Sequence, residues 1–241
     1  MDVSNSFTKV APVTPQGLGS IHRHPTPRVT LAWLQDLRRK YPRHQLVLGS
    51  VVPTVTTRAQ KVFRQQLLLV NGSSPLPIVL DYPHKAQIGA DRIANAVAAR
   101  HHFGAPVVVI DFGTAVTFDI VNAQGAYCGG VIAPGLNAMT DYLHEKTALL
   151  PRITVQEPRR AIGRSTVEAM QAGAIIGYRG LVHGLLQAIQ KELGTRQKLK
   201  VIATGGQAEL VARHLPEIQK VDQKLTLEGL RLIGLHFNRP L

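Results

Sequence analysis

Apolar residues in this chain gather in short runs enriched in β-branched side chains, which predicts strands over 45–52, 67–70, 78–80, 106–111, 116–121 and 200–203. The spacing of Leu31, Leu34 and Leu37 predicts a helix over 27–40, and the alanine-rich stretch 90–102 puts Ile93 and Val97 on one face of another. A long helix is expected over 165–190, with Thr166 near its start and Glu168 in its first turn, where a carboxylate suits the helix dipole. The stretch 14–26 carries Gly, Pro and His without periodicity and reads as a loop. Strands alternating with helices imply an α/β fold.

One order of residue types occurs twice: Asp2-Val3-Ser4-Asn5-Ser6 and Asp111-Phe112-Gly113-Thr114 each run acid, apolar, small, polar. The second leaves the apolar run PVVVID and enters AVTFDIV, as a β-hairpin would. Two such turns facing each other across a cleft could hold a nucleotide and its metal, the arrangement of a two-lobed phosphotransferase. Phosphoryl transfer needs donors and cations around the phosphates, an oriented nucleophile and a carboxylate near the attacking hydroxyl. Asp2, Asn5, Ser6 and Lys9 put an acid, an amide, a hydroxyl and an ammonium on one turn, although a polar terminus has the same composition. Gly89-Ala90-Asp91-Arg92 leads a glycine into a helix start carrying an acid beside a guanidinium. That acid could accept a hydroxyl proton, or simply complement the helix dipole. Asp111 ends a fully apolar strand, where a carboxylate is costly unless a cation partners it. The chain lacks both G-x-x-x-x-G-K-[ST] and a G-x-G-x-x-G opening a helix, which argues against a P-loop or Rossmann enzyme.

Composition narrows the classes further. With 44% hydrophobic residues among 241, the chain can bury a substantial core. Its single cysteine, Cys128, leaves no intrachain disulfide and no cysteine-built metal site, which suits a reducing compartment. No apolar run approaches the roughly 20 residues of a membrane span and the start lacks signal-peptide order, so a cytoplasmic location is expected. The pairs His22/His24 and His101/His102 lack further ligands nearby in sequence and are not expected to bind metal. Lys and Arg number 28 against 15 Asp and Glu, a formal +13, yet the basic residues are scattered and not interleaved with aromatics. Nucleic-acid binding is therefore not expected, while an anionic substrate is favoured.

The runs GSVVP (49–53), GADRIANAVA (89–98), DFGTAVTFD (111–119), GGVIAPG (129–135), LPR (150–152), GRSTVEAMQAG (163–173) and ATGG (203–206) together resemble type III pantothenate kinases. The resemblance implies an actin-like, acetate-and-sugar-kinase fold, with two ribonuclease-H-like lobes of mixed sheet and a cleft between them. Residues 1–105 would form the first lobe, with the phosphate loop and the GADR helix. Residues 106–241 would form the second, with the DFGT turn and a dimerisation helix. The implied reaction moves the γ-phosphoryl group of ATP, bound with Mg²⁺, to pantothenate, giving 4′-phosphopantothenate in the first step of coenzyme A biosynthesis. Asp91 matches the catalytic base, and Tyr82, Gly89, Ala90, Arg92 and Thr166 match substrate contacts. Asp2, Val3, Ser4, Asn5, Ser6, Phe7, Thr8 and Lys9 match the nucleotide-phosphate loop, and Thr114 matches a further ATP contact. Asp111 matches the ligand of a monovalent cation, K⁺ or NH₄⁺. A homodimer completing its active site near the interface is implied as well.

The first loop departs from the family pattern: Met1 directly precedes Asp2, Ser4 stands where Gly is usual, and Ser6 replaces Thr. The departure predicts a first lobe deprived of its central strand: either the start is assigned too late, or the protein is divergent and its ATP site impaired. It keeps open an alternative, a catalytically impaired regulatory relative acting as an accessory factor in gene expression.

Overall fold

The computed structural model describes residues 1–194 and 199–237. In chain order the elements are β1 (Asp2–Val3), β2 (Phe7–Val10), β3 (Val13–Thr14), β4 (Gly17–Leu18), β5 (His22–Pro25), α1 (Leu31–Lys40), β6 (Leu46–Ser50), α2 (Pro53–Phe63), β7 (Leu67–Leu69) and α3 (Ala90–Phe103). There follow β8 (Val107–Phe112), β9 (Ala115–Val121), β10 (Tyr127–Pro134), α4 (Leu136–Lys146), α5 (Thr166–Leu193), β11 (Lys200–Thr204), α6 (Ala208–Ala212), β12 (Lys220–Val221) and α7 (Leu225–Phe237). The chain divides into two compact units. The first comprises residues 1–104, 125–129 and the segment from Lys224 onward; the second comprises 105–124 and 130–223.

The first unit is built on a five-stranded sheet in the order β5-β2-β1-β6-β7. β1 and β2 form a hairpin, and β6 pairs parallel to both β1 and β7. Leu46 and Leu48 of β6 join Val3, Leu34, Val55 and Phe63 in an apolar cluster with α1 and α2. Gly49 and Val47 face α7 instead, beside Leu230 and Gly234. α3 is buried along residues 93–99, and its alanines let α7 approach closely: a Cβ on Gly229 would collide with the Ala94 carbonyl. Within that contact Thr226 donates to the buried Asn95 side chain at 2.8 Å. Proline at the first position of α2 suits a helix start, and Thr30 caps α1 by accepting the Trp33 N–H at 3.2 Å.

The second unit carries a sheet in the order β10-β9-β8-β11-β12. β8 is its centre, antiparallel to β9 and parallel to β11, and the run Val107–Ile110 is buried throughout, as expected of a strand covered on both faces. α5 begins with reciprocal capping. Ser165 accepts the Glu168 N–H at 3.2 Å, while the Glu168 carboxylate accepts the Arg164 N–H at 2.7 Å.

Four sequence expectations are corrected. The stretch 14–26 is not a loop: β5 is the sheet's edge strand, paired with β2, an exposed position that tolerates polar side chains. The expected strand over 78–80 reduces to one bridge, between Leu80 and Tyr127. The helix expected from residue 27 starts at Leu31, after a tight turn over Thr26–Arg28. The central strand of the first sheet is not lost; it is present as β1, two residues long, between β2 and β6.

Candidate active site

In the first unit the candidate chemistry gathers at the amino end of α3. Gly89 is the N-cap and the half-buried Asp91 lies in the first turn. Its Oδ1 accepts the Arg92 backbone N–H at 2.8 Å, which folds the carboxylate back over the helix start. A Cβ at residue 89 would run into that oxygen, a local reason for glycine there. Ala90 is buried beneath it. The Arg92 guanidinium lies 5.9 Å from the centre of the Tyr127 ring, and the Tyr82 ring centre lies 6.2 Å from the same ring. Tyr127 is fully buried; its N–H donates to Val79 O and its carbonyl accepts the Asp81 N–H, both at 2.9 Å. That bridging sets Tyr82 beside the Arg92 end of α3. Sequence reading missed Tyr127, because nothing in its own neighbourhood indicates a pairing with residues 79–81.

The β1–β2 hairpin closes through Ser4 N–H donating to Phe7 O at 3.1 Å, which leaves Asn5 and Ser6 exposed at the tip. Lys9 is half-buried, while Asp2, Val3 and Thr8 are buried. Thr8 Oγ1 lies 3.0 Å from Thr26 Oγ1, whose hydroxyl donates to Ser4 O at 2.7 Å. Val3 and Thr8 therefore support the turn from below, and a phosphate at its tip would meet Asn5, Ser6 and backbone groups. The Arg23 guanidinium covers the Phe7 ring at 3.5 Å from its centre, a cation at this hairpin that the sequence pattern did not single out.

In the second unit three glycine-containing turns converge on Asp111. This residue pairs with Thr117 of β9 and Thr204 of β11. Gly205, at φ +95°, passes so close that a Cβ would sit 2.5 Å from Asp111 Oδ1 and 2.7 Å from the Phe112 backbone. Gly135 packs on the carbonyls of Gly113 and Thr114, and its N–H donates to Thr114 O at 3.1 Å. Gln207 Nε2 donates to Asn137 Oδ1 at 3.3 Å, tying the starts of α6 and α4 together. Such a backbone-lined, glycine-rich surface allows an anion or a flat ring to come close. Thr166 also belongs to this unit, where it lines a cavity of about 760 Å³ with Met139, Tyr142, Leu143 and Met170.

Among the described residues no group of three or more His, Cys, Asp or Glu side chains could hold a metal ion. His24 stacks on Trp33 at 5.0 Å between ring centres, and His102 pairs with Glu228 at 3.3 Å.

Two mixed sheets, each with an acid-bearing hairpin flanked by a parallel strand, define the class as a mixed α/β fold. A ROK hexokinase of Thermus thermophilus shares it at TM-score 0.50 and 14% identity over 96% of each chain. A protein described as a Baf family transcriptional activator of Campylobacter jejuni shares it at TM-score 0.60 and 17% identity, over 96% of this chain and 94% of that one. At these identities the likeness is one of fold. The sequence pattern of type III pantothenate kinases matches residues 1–188. The type III pantothenate kinase of Methylacidiphilum infernorum is 47% identical over 234 residues, 97% of this chain and 86% of that one. That of Akkermansia muciniphila is 47% identical over 233 residues, 96% of each chain. The chain belongs to the type III pantothenate kinase family.

Proposed function

We propose that this chain phosphorylates pantothenate with ATP, giving 4′-phosphopantothenate and ADP, the first step of coenzyme A biosynthesis. The observation that carries the reading is the Asp91 carboxylate, held by the helix start that bears it, with Arg92 and Tyr82 grouped on Tyr127. In this reading the pantothenate hydroxyl oxygen attacks the γ-phosphorus, the bond to the β-phosphate oxygen breaks, and Asp91 takes the hydroxyl proton. Arg92 suits the pantothenate carboxylate because its planar fork matches two oxygens. Tyr82, Gly89, Ala90 and Thr166 complete the substrate contacts. Asn5, Ser6, Lys9, Thr114 and the backbone around them hold the phosphates. Mg²⁺, when bound with ATP, neutralises charge on the phosphate oxygens. K⁺ or NH₄⁺ beside Asp111 would add positive charge near them. The working form is a cytoplasmic homodimer with the active site near its interface.

The test is ATP-dependent phosphorylation by Asp91→Asn. Turnover is expected to fall by about 10²–10⁴-fold, with both KM values within a few-fold of the parent. Unchanged turnover removes Asp91 from the role of base. Exchanging K⁺ for Na⁺ is expected to slow the parent enzyme, and indifference to the exchange argues against a cation at Asp111.

A further inference from the structure

Two half-buried side chains of the first unit meet on one fully buried ring, that of Tyr127. The Arg92 guanidinium stands over it at 5.9 Å from the ring centre, within the reach of a cation–π attraction. The Tyr82 ring leans on it with 6.2 Å between centres and 59° between planes, a tilted arrangement of the kind aromatic pairs adopt. The main chain fixes Tyr127 in turn: its N–H donates to Val79 O and its carbonyl accepts the Asp81 N–H, which ties the start of β10 to the segment that carries Tyr82. Two residues on, Gly129 at φ +133° passes Tyr82 so closely that a Cβ there would touch the ring at 3.9 Å.

We propose that Tyr127 is a positioning residue that sets the selectivity of this site for a substrate ending in a carboxylate; the inference rests on the pantothenate kinase reading. An aromatic face attracts a guanidinium through its quadrupole without cancelling the charge, so what the ring gives Arg92 is direction. The planar fork of the guanidinium turns that direction into recognition of two carboxylate oxygens. An arginine side chain has several rotatable bonds, and one that is already oriented loses less freedom when the substrate arrives. Tyr127 itself is buried beneath the residues that would touch substrate, so it acts through Arg92 and Tyr82 and not by contact.

The test measures kcat/KM for pantothenate and for a neutral analogue in which a hydroxymethyl group replaces the carboxylate. It uses the full chain and its variants Tyr127→Leu, Tyr127→Met and Tyr127→Phe. The ratio of the two values is the readout, because partial unfolding lowers both alike. The parent is expected to prefer the carboxylate. Tyr127→Leu and Tyr127→Met are expected to reduce that preference about tenfold, chiefly through the KM for pantothenate, and Tyr127→Phe, which keeps the ring, to restore it. Added to Arg92→Gln, Tyr127→Leu is expected to change the ratio no further, because its effect passes through that guanidinium. A parent without preference, a preference that survives Tyr127→Leu and Tyr127→Met, or an equal loss on top of Arg92→Gln overturns the proposal. If neither Tyr127→Leu nor Tyr127→Met folds, the ring serves packing alone and the proposal is overturned as well. A parent that phosphorylates neither compound removes the kinase reading, whereas a parent that prefers pantothenate, with variants that prefer it equally, removes only the role of Tyr127.

Discussion

Two glycines show how one missing methyl group can serve two different ends. At residue 89 the backbone (φ −58°, ψ 144°) is open to any L-residue, and the atom an added Cβ would strike is the end of the Asp91 side chain. Gly89→Ala should therefore leave the fold as stable as before but turn the carboxylate away from its place. We expect turnover to fall by about tenfold or more while the melting temperature stays within a few degrees, since a small misplacement of a reacting group is costly. At residue 205 the backbone lies at φ +95° and the obstruction includes the Phe112 main chain, which cannot swing aside. Gly205→Ala should destabilise the protein by about 1–3 kcal/mol, readable by denaturant titration, and raise the KM for ATP by disturbing Asp111. If both variants lost stability equally, the distinction between side-chain and backbone obstruction would fail.

Elements whose own residues dictate their environment were legible in the sequence. β8 is a continuous apolar run because both its faces are covered, and α5 announces itself through Thr166 near its start and Glu168 in its first turn. Elements defined by a distant partner were not. β5 is a run of His, Arg and Pro that becomes a strand only because β2 offers it an edge, and Tyr127 gains its place through backbone bonds to residues 79–81. The Asp91, Arg92 and Asp111 positions were legible as acids and a guanidinium at turns, whereas their supports, Tyr127 and Gly205, acquire meaning only in the fold. The irregular segment ahead of α5 illustrates a partner-defined element energetically. Glu157 accepts both terminal nitrogens of the buried Arg179 at 2.7 Å, and Arg179 also donates to the carbonyls of Val211 and Leu210. The Arg179 hydrogen bonds hold the Glu157 carboxyl below the usual carboxylate range, with smaller help from the charges of Arg179, His214 and Arg213. A depressed folded-state value means that the stabilisation is present above the unfolded value, about 4.3, and is lost as pH falls through the lower folded one. Glu157→Gln should cost about 1–3 kcal/mol at neutral pH, and the gap between variant and parent should close in acid. A gap that persists unchanged at low pH would show that packing, and not the charge pair, holds the segment.

At the scale of the whole molecule, the formal charge of +13 acts on two partners with opposite sign. ATP is drawn by it, so kcat/KM for ATP should fall as salt rises and the screening length shortens to about 8 Å at physiological ionic strength. A second copy of the chain is repelled by it, so the proposed dimer must be held by apolar surface and should tighten as salt rises. The second unit offers such surface: Val167 and Ile176 of α5 are 41% and 45% exposed, and Tyr142 of α4 is 61% exposed. On α5, Gly173, Gly177, Gly180 and Gly184 have open space where a Cβ would stand, so another backbone could come close along that helix. Ile176→Arg places a charge on that surface without touching the Asp91 or Asp111 groups. We expect it to shift sedimentation from dimer to monomer at micromolar concentration and to lower pantothenate turnover in proportion to the monomer formed, because Thr166 opens the same helix. A monomeric variant with full turnover would separate the dimer from the chemistry, whereas a variant that remains dimeric would move the interface away from α5.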